Sequence, residues 1–257
     1  MKIVNATWER RNLGCDAWEV TLDSADMSNP PNVIAMLHDA RFAGAYVCVK
    51  LPVGNLKMVH ALEDDGFRFL ETQLSLIDRF LPDDIFEQCE TSHERIVYKP
   101  IKKDRGEWER VIAKITPALF DTDRISLDPL LGPEIACKRY QNWIRDLFDN
   151  PKASLSVMEV DGQEVSFALE MVDGKSRQGI LGGNFPEFKR SGYGVALNAG
   201  SREGRIRAKR RTVVSSNNLS VLRVHQNCGC VVYKEMYVLR KFVGRSGCES
   251  INAKEQM

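Results

Sequence analysis

Apolar and polar residues follow a strand-like period in some parts of this chain and a helical period in others. In the N-terminal part, an apolar run precedes a helical spacing of Leu56, Val59 and Leu62, and a second apolar run follows Gly66. A glycine just after a periodic segment is a common helix terminator. The pattern therefore predicts a βαβ unit with a strand over 45–51, a helix over 55–65 and a strand over 67–77.

The rest of the chain predicts helices first, then strands, then strands and helices in alternation. Two Asp-Gly pairs, at 161–162 and 173–174, predict tight turns that join three strands into an antiparallel meander. The helix that starts at Pro133 has its proline at an early position and ends before Pro151. The predicted elements are helices 108–115 and 133–149, strands 155–160, 165–172 and 178–183, helix 195–209, strand 211–215, helix 218–228 and strand 231–239.

The length of 257 residues fits one large domain or two small ones. A polar stretch broken by Pro82 and Pro100 predicts a boundary within residues 90–104. We therefore expect an α/β fold with a smaller N-terminal α/β module over 1–100, a main domain over 101–245 and a polar tail over 246–257.

Charge and composition exclude several classes of protein. Lys and Arg total 36 and Asp and Glu total 35, and the formal net charge of +1 provides no global field for nucleic acid. The longest apolar stretch, Ala43 to Val49, is too short to span a membrane. The seven cysteines are mostly scattered, which is typical of reduced thiols, and Cys228-x-Cys230 has too few neighbouring ligands for zinc. We expect a cytoplasmic protein without a metal, a membrane anchor or a nucleic-acid partner.

A glycine pattern precedes the predicted helix 195–209, namely Lys189-Arg190-Ser191-Gly192-Tyr193-Gly194. A glycine-containing loop between a strand and a helix directs several backbone N–H groups and the positive end of the helix at one point, which suits a pyrophosphate. Gly-x-Gly before a helix also occurs as a plain structural turn, so both interpretations stay open on this motif alone.

The order of elements around this loop carries a resemblance to a known family. Pro186-x-x-Lys189-x-x-Gly192-x-Gly194 follows the meander, and Asn218 then stands eleven positions before Gly229. This arrangement resembles the GNAT superfamily of N-acetyltransferases, whose loop reads Pro-x-x-(Arg or Gln)-x-x-Gly-x-(Gly or Ala) and whose second landmark is an Asn eleven residues before Gly-Phe. The resemblance covers residues 108–240 and implies the acyl-CoA N-acyltransferase fold, a mixed and mostly antiparallel sheet flanked by helices.

The resemblance also implies direct transfer of an acetyl group from acetyl-CoA to an amine. His225 holds the position of the family's proton donor to the leaving thiolate, usually Tyr, and an imidazole donates protons effectively near neutral pH. The alternatives are a packed helix histidine for His225 and a helix N-cap for Asn218. A backbone N–H within 183–185 would face the thioester carbonyl. The residues implied to bind the cofactor are Gly183, Asn184, Phe185, Lys189, Arg190, Ser191, Gly192, Tyr193, Gly194, Val195 and Asn218.

The chain departs from the family pattern at two further positions and leaves one role unassigned. Lys189 replaces Arg or Gln and lacks the planar fork that contacts phosphate through two bonds. Cys230 replaces the usual Phe with a smaller apolar side chain. For the general base, Glu159, Glu164 and Glu170 of the meander and an ordered water all stay open.

The acceptor rests on a narrower resemblance. The helix with Tyr140-x-x-Trp143, the segment 121–129 before it and the extra N-terminal module look most like dTDP-fucosamine acetyltransferase, which implies a nucleotide-linked amino sugar as the amine. A peptide or amino-acid amine is an alternative acceptor, and a non-catalytic or regulatory acyl-CoA-binding protein is an alternative function. The acyl chain length and the choice between a monomer and a homodimer stay open.

The N-terminal module repeats the second landmark of the family. Asn55 stands eleven positions before Gly66-Phe67, and Leu76 matches Leu239 in the same register. The match predicts an internal repeat and a degenerate, half-sized GNAT-like module, although a chance recurrence of helix cap and helix terminator is the alternative. The module has no glycine loop between a meander and a helix, so we expect no catalysis from it.

Overall fold

The computed structural model describes residues 1–78, 95–174, 176–199 and 209–244. Within these residues, ten strands form one mixed sheet in the order β1-β2-β3-β10-β4-β9-β8-β7-β6-β5. Neighbouring strands are antiparallel, except that β2 is parallel to β3 and β8 is parallel to β9. The strands are β1 Lys2–Asn5, β2 Ala17–Thr21, β3 Tyr46–Pro52, β4 Arg68–Asp78, β5 Ile96–Pro100, β6 Ala153–Val160, β7 Gln163–Asp173, β8 Ser176–Asn184, β9 Lys209–Ser215 and β10 Cys230–Phe242.

Helices cover both faces of the sheet. Neighbouring residues of a strand point to opposite faces and therefore pack against different helices. On β10, Val238 packs with the helix that begins at Gly132, and Leu239 packs with the helices that begin at Pro30 and Leu56. None of the described helices is long and apolar enough to cross a membrane. The α-helices are α1 Arg10–Leu13, α2 Pro30–Leu37, α3 Leu56–Asp64, α4 Arg105–Ile112, α5 Gly132–Leu147, α6 Tyr193–Ala199 and α7 Leu219–Asn227.

The central four strands come from two interlocked repeats. We define the N-terminal repeat as residues 46–78 (β3-α3-β4) and the C-terminal repeat as residues 209–241 (β9-α7-β10). β10 lies between β3 and β4, and β4 lies between β9 and β10, so each repeat inserts its last strand into the other. The βαβ unit predicted in the N-terminal part is therefore present, but its two parallel strands are not neighbours.

The strand register confirms the internal repeat. A constant offset of 163 positions relates Asn55 to Asn218 and Gly66 to Gly229. Under the same offset, the pair of Gln73 with Met236 maps onto itself, which places a local two-fold axis there. The flanking pairs map onto each other, namely Leu76 with Val232 and Phe69 with Leu239. The pairs of β3 with β10 likewise map onto the pairs of β9 with β4.

The Asn and Gly landmarks of both repeats also serve as helix caps. The Asn55 side chain accepts a hydrogen bond from the Met58 amide at 3.0 Å, and the Asn218 side chain accepts one from the Val221 amide at 3.2 Å. Gly66 and Gly229 have φ angles of 89° and 75°, the left-handed conformation that ends a helix. The landmarks are therefore repeat positions, as the register shows, and they also serve as helix cap and helix terminator in both repeats.

Several elements differ from the sequence expectation. β1, β2 and α2 lie in the first 44 residues, where no element was predicted, and β5 at Ile96–Pro100 lies inside the predicted boundary region. These strands are only four or five residues long, and so short a run carries little periodic signal. α6 begins at Tyr193, two residues earlier than predicted. Most of the predicted helix 195–209 after residue 199, and the predicted polar tail after 245, lie outside the described residues.

The segment between α4 and α5 is fixed to the sheet by buried ion pairs. The Asp128 carboxylate, which is fully buried, accepts two bonds from the Arg240 guanidinium on β10 at 2.6 and 2.7 Å. On α5, Arg139 donates to Glu9 at 2.7 Å. One ion pair thus holds the segment against β10, and the other holds α5 against the N-terminal turn that contains Glu9.

Candidate functional site

A cleft opens between the parallel strands β8 and β9. The two strands pair only over Ser176–Gln178 and Lys209–Arg211. One residue further, the Thr212 hydroxyl donates to the Gly179 carbonyl at 3.2 Å, and no ladder pair joins the later described residues of the two strands. The strands therefore form a V whose apex lies at Gly179 and whose open end faces the carboxyl ends of both strands.

The backbone of β8 determines which groups line the cleft. A bulge places Ile180 outside the ladder with β7, which re-aims the strand at the apex. The Phe185 amide donates to the Val165 carbonyl at 2.8 Å, so it faces β7. Because ladder bonds alternate in antiparallel strands, Gly182 and Asn184 direct their backbone groups into the cleft. Within the predicted segment 183–185, the backbone of Asn184 thus faces the cleft, whereas that of Phe185 does not.

The loop after β8 has the backbone conformation of an anion site. Arg190 and Gly192 have φ angles of 70° and 88°, and left-handed residues of this kind turn successive amides to one side. Nothing lies within 4 Å of a Cβ built on Gly192, so the loop is open there. Tyr193 and Val195 direct their amides to the Ser191 hydroxyl and the Gly192 carbonyl, at 3.3 and 3.2 Å. The amides of Arg190, Gly192 and Gly194 are therefore the ones that suit an anion.

The Asn184 side chain connects this loop to the cleft. Its amide nitrogen donates to the Phe188 carbonyl at 3.3 Å and to the Ser191 hydroxyl at 3.5 Å. Its side-chain oxygen is buried and has no hydrogen-bond partner among the described residues. A buried acceptor without a partner is costly.

Two of the predicted cofactor residues have their side chains engaged elsewhere. The Lys189 ammonium donates to the Ala118 carbonyl at 2.6 Å and to Asp121 at 2.9 Å, so the loop is tied to the segment before α5. The Phe185 ring is buried and stacks on Phe167 with a centroid distance of 5.8 Å. Their positions anchor the loop and the strand end rather than offer contacts to a ligand.

Helix α7 packs against the start of α6. A Cβ built on Gly194 would lie 3.7 Å from the Val224 side chain, so a glycine allows the two helices to approach. The Cys228 thiol lies 3.9 Å from the Val195 carbonyl. Asn218 caps α7 at the other end of the helix, as described above. The C-terminal turn of α7, which carries His225, is thus held beside the loop.

His225 is almost fully buried, with 4% of its surface exposed, and lies in a polar cluster. Its Nδ1 atom is 3.8 Å from the Cys230 sulfur, and that thiol donates to the Asp78 carboxylate at 3.0 Å. From the sequence, Cys230 is a smaller apolar replacement for the usual Phe, and no pattern there points to Asp78. The sequence signal for this cluster is that His225, Cys230 and Asp78 all differ in chemical type from their counterparts in the other repeat. Those counterparts are identified by the strand register.

The three carboxylates considered as general base are all engaged in ion pairs. Glu159 pairs with Lys99 at 2.6 Å, and Glu170 lies 2.6 Å from Arg177. Bonds from the Arg110 guanidinium and the Lys114 ammonium, partly opposed by burial, hold the pKa of Glu164 below its ordinary value. A low pKa makes a poor base, so Glu164 is disfavoured for proton abstraction at neutral pH.

Other candidate chemistry is located as follows. Tyr140 is buried, and its ring stacks on the Trp143 ring with a centroid distance of 6.5 Å. Burial raises the pKa of the Tyr140 hydroxyl. The pair therefore packs on the buried side of α5. The described residues contain no group of three or more His, Cys, Asp or Glu that could hold a metal ion.

Solved structures resemble this chain over most of its length, although no protein-family model and no curated protein matches it. A conserved protein of unknown function from Staphylococcus epidermidis ATCC 12228 has a TM-score of 0.58 at 14% identity, covering 89% of this chain and 85% of that one. A GCN5-related N-acetyltransferase from Sphaerobacter thermophilus has a TM-score of 0.58 at 14% identity, covering 96% and 77%. Another, from Kribbella flavida, has a TM-score of 0.53 at 13% identity, covering 89% and 82%. The chain therefore has the GNAT fold, with a mixed sheet flanked by helices.

Proposed function

We propose that this protein is an N-acetyltransferase that moves an acetyl group from acetyl-CoA directly to an amine. The observation that carries the proposal is the cleft between β8 and β9, with the glycine loop 189–194 at its open end. A splayed pair of parallel strands exposes backbone groups along a narrow slot, and the loop adds amides that suit a pyrophosphate.

The residues of the cleft fit this co-substrate in two ways. The amides of Arg190, Gly192 and Gly194 would hold the pyrophosphate. The backbone of Gly182 and Asn184 would pair with the pantetheine as an added strand does. Acetyl-CoA supplies the activated acyl group. Lys189 would act by anchoring the loop to Asp121.

The chemistry that the chain itself provides is stabilisation of charge and donation of a proton. The amine nitrogen forms a bond to the thioester carbon, and negative charge develops on the carbonyl oxygen, which a backbone N–H of the cleft would stabilise. As the carbon–sulfur bond breaks, the thiolate takes the proton of His225. The proton lost by the amine goes to water, which is consistent with the engaged carboxylates of the meander.

The acceptor proposed for the first tests is the amine of a nucleotide-linked amino sugar, on the strength of the narrower sequence resemblance. A peptide or amino-acid amine is the second class to test. On β9, Val213 is 46% exposed and points to the face opposite Val214, which packs with α7. We place the acceptor on that exposed face, because the loop and α7 occupy the other one.

The cofactor is tested by calorimetric titration with acetyl-CoA. We expect the parent protein to bind and Gly192→Asp to lose at least about 100-fold in affinity, because a carboxylate at the pyrophosphate position repels it. Gly44→Asp is the matched control, since Gly44 is exposed, also has a positive φ of 73° and has nothing within 4 Å of its Cβ position. No binding by the parent at millimolar acetyl-CoA would overturn the proposal.

Acetyl transfer is tested on a panel of nucleotide amino sugars, amino acids and peptides. Transfer to any one class supports the enzyme and identifies the acceptor. Full binding of acetyl-CoA without transfer to any amine would instead favour a non-catalytic acyl-CoA-binding protein.

A further inference from the structure

A chain of three polar side chains crosses from the C-terminal repeat to a strand of the N-terminal repeat. His225 lies on α7, Cys230 begins β10, and Asp78 ends β4. The thiol donates to the Asp78 carboxylate at 3.0 Å, and His225 Nδ1 lies 3.8 Å from the same sulfur. Cys230 is 6% exposed, so this contact is shielded from water.

The internal repeat shows what the same backbone positions contain when no such chain is present. By the register, His225 corresponds to Leu62 and Cys230 to Phe67, both of which are fully buried and apolar. Asp78 corresponds to Lys241, whose ammonium bonds to Asp65 at 3.0 Å. The apolar side chains of Leu62 and Phe67 thus fill these positions in the N-terminal repeat. Packing therefore does not explain why the C-terminal repeat has polar side chains there.

We infer that Asp78 and Cys230 are positioning residues, which orient His225 so that Nδ1 carries its proton toward the Cys230 sulfur and Nε2 is the atom that exchanges a proton with substrate. This inference rests on the proposed function for the identity of that substrate, the leaving thiolate.

The hydrogen bond from Cys230 to Asp78 favours one tautomer of His225. Because the Cys230 S–H donates to the carboxylate, the sulfur lone pairs remain for the N–H of His225 Nδ1. In this tautomer the lone pair of neutral His225 is on Nε2, and protonated His225 carries a proton on both ring nitrogens. The Asp78 carboxylate, one thiol away, stabilises the positively charged imidazolium. In proton donation, the Nε2–H bond breaks, the thiolate gains the proton, and His225 returns to the Nδ1–H tautomer.

Steady-state kinetics test the positioning role. We expect Cys230→Ala and Asp78→Asn each to lower kcat about tenfold, a part of the about 10²–10⁴-fold effect of general acid catalysis, with KM for acetyl-CoA nearly unchanged. Cys230→Ser keeps a donor and an acceptor and should retain most of kcat. Lys241→Met, at the repeat position of Asp78, is the matched control and should keep the parent kcat. An unchanged kcat in Cys230→Ala would overturn the inference.

A second measurement does not depend on turnover. Nitrogen-15 NMR of histidine-labelled protein, with the signal assigned by its loss in His225→Leu, reports the tautomer of neutral His225. We expect Nδ1–H in the parent and in Cys230→Ser, and a loss of that preference in Cys230→Ala. An Nε2–H tautomer in the parent contradicts the inference, even if acetyl transfer is found. Conversely, no transfer to any amine removes the proposed function, while the tautomer still decides the positioning.

Discussion

The two repeats share one backbone arrangement but differ in the cleft beside it. In the C-terminal half, β8 and β9 pair over three residues and then separate. In the N-terminal half, β2 and β3 pair from Ala17 with Tyr46 to Thr21 with Lys50, and the Leu22 amide continues the pairing to the Lys50 carbonyl at 2.8 Å. The equivalent cleft is therefore closed along its length.

The loops that follow β2 and β8 differ in charge as well. After β2, the Asp23 carboxylate accepts bonds from the amides of Ala25 and Asp26, at 2.9 and 3.3 Å. The Met1 ammonium pairs with Asp23 and Asp26 and, as the largest cause, lowers the pKa of Asp23. Amides that would face an anion in the other half are occupied here by the chain's own carboxylates.

Features that both repeats share serve folding, and features of the C-terminal half alone are the candidates for chemistry. Caps, glycine terminators and strand register are common to both repeats. The glycine loop, the splayed strands and the polar cluster at His225 occur in the C-terminal half only, as far as the described residues go. The N-terminal repeat is thus a structural partner that contributes a strand, and it serves as an internal control for variants.

The largest effect on activity is expected from making the C-terminal repeat like the N-terminal one at the proposed proton donor. His225→Leu installs the residue found at the equivalent position 62 and removes the proposed proton donor. We expect kcat to fall at least about 100-fold, with the affinity for acetyl-CoA changed less than about threefold. The conservative control Leu62→Met should leave kcat unchanged. Equal losses in kcat and in acetyl-CoA affinity would remove the general-acid role.

A second effect, on stability and not on rate, is expected from the buried ion pair of β10, which the other repeat lacks. Ile77 stands at the position equivalent to Arg240, so only the C-terminal repeat carries this charge. Asp128→Asn leaves the Arg240 guanidinium buried without a counter-charge and should lower the free energy of unfolding by about 3–5 kcal/mol, measured in urea. Combining Asp128→Leu with Arg240→Met should recover most of the loss. A loss under about 1 kcal/mol for Asp128→Asn would show that the pair does not hold the segment.

The smallest effect is expected from the helix caps that the repeats share. Asn55→Ala and Asn218→Ala should each lower the free energy of unfolding by about 1 kcal/mol, because each removes one bond to a helix amide. The titration of acetyl-CoA into both variants separates the two roles of Asn218. Weaker binding in Asn218→Ala alone would show that this residue contacts the cofactor as well as capping α7.

Much of the structure around the candidate site could be predicted because its signals are local. The glycine loop at 192–194, the meander before it and the caps at Asn55 and Asn218 depend on residues close together in sequence. The bulge at Ile180 and the alternation that turns Gly182 into the cleft depend on pairing with β7, which no local pattern encodes. The loop motif predicts Lys189 at the cofactor. Its ammonium instead bonds to Asp121, which is 68 positions away in the sequence and therefore invisible to a local pattern.

The sequence by itself determined the strands and helices of strong period, the repeat of Asn and Gly landmarks, and the loop that suits a pyrophosphate. Only the tertiary structure decided that each repeat inserts its last strand into the other, which brings Asp78 to Cys230 across 152 positions of the chain. Periodicity records which face of an element is apolar, and a strand with both faces covered can pair with several neighbours. The choice among those neighbours depends on the packing of the whole sheet, and so does the polar cluster that this choice brings together.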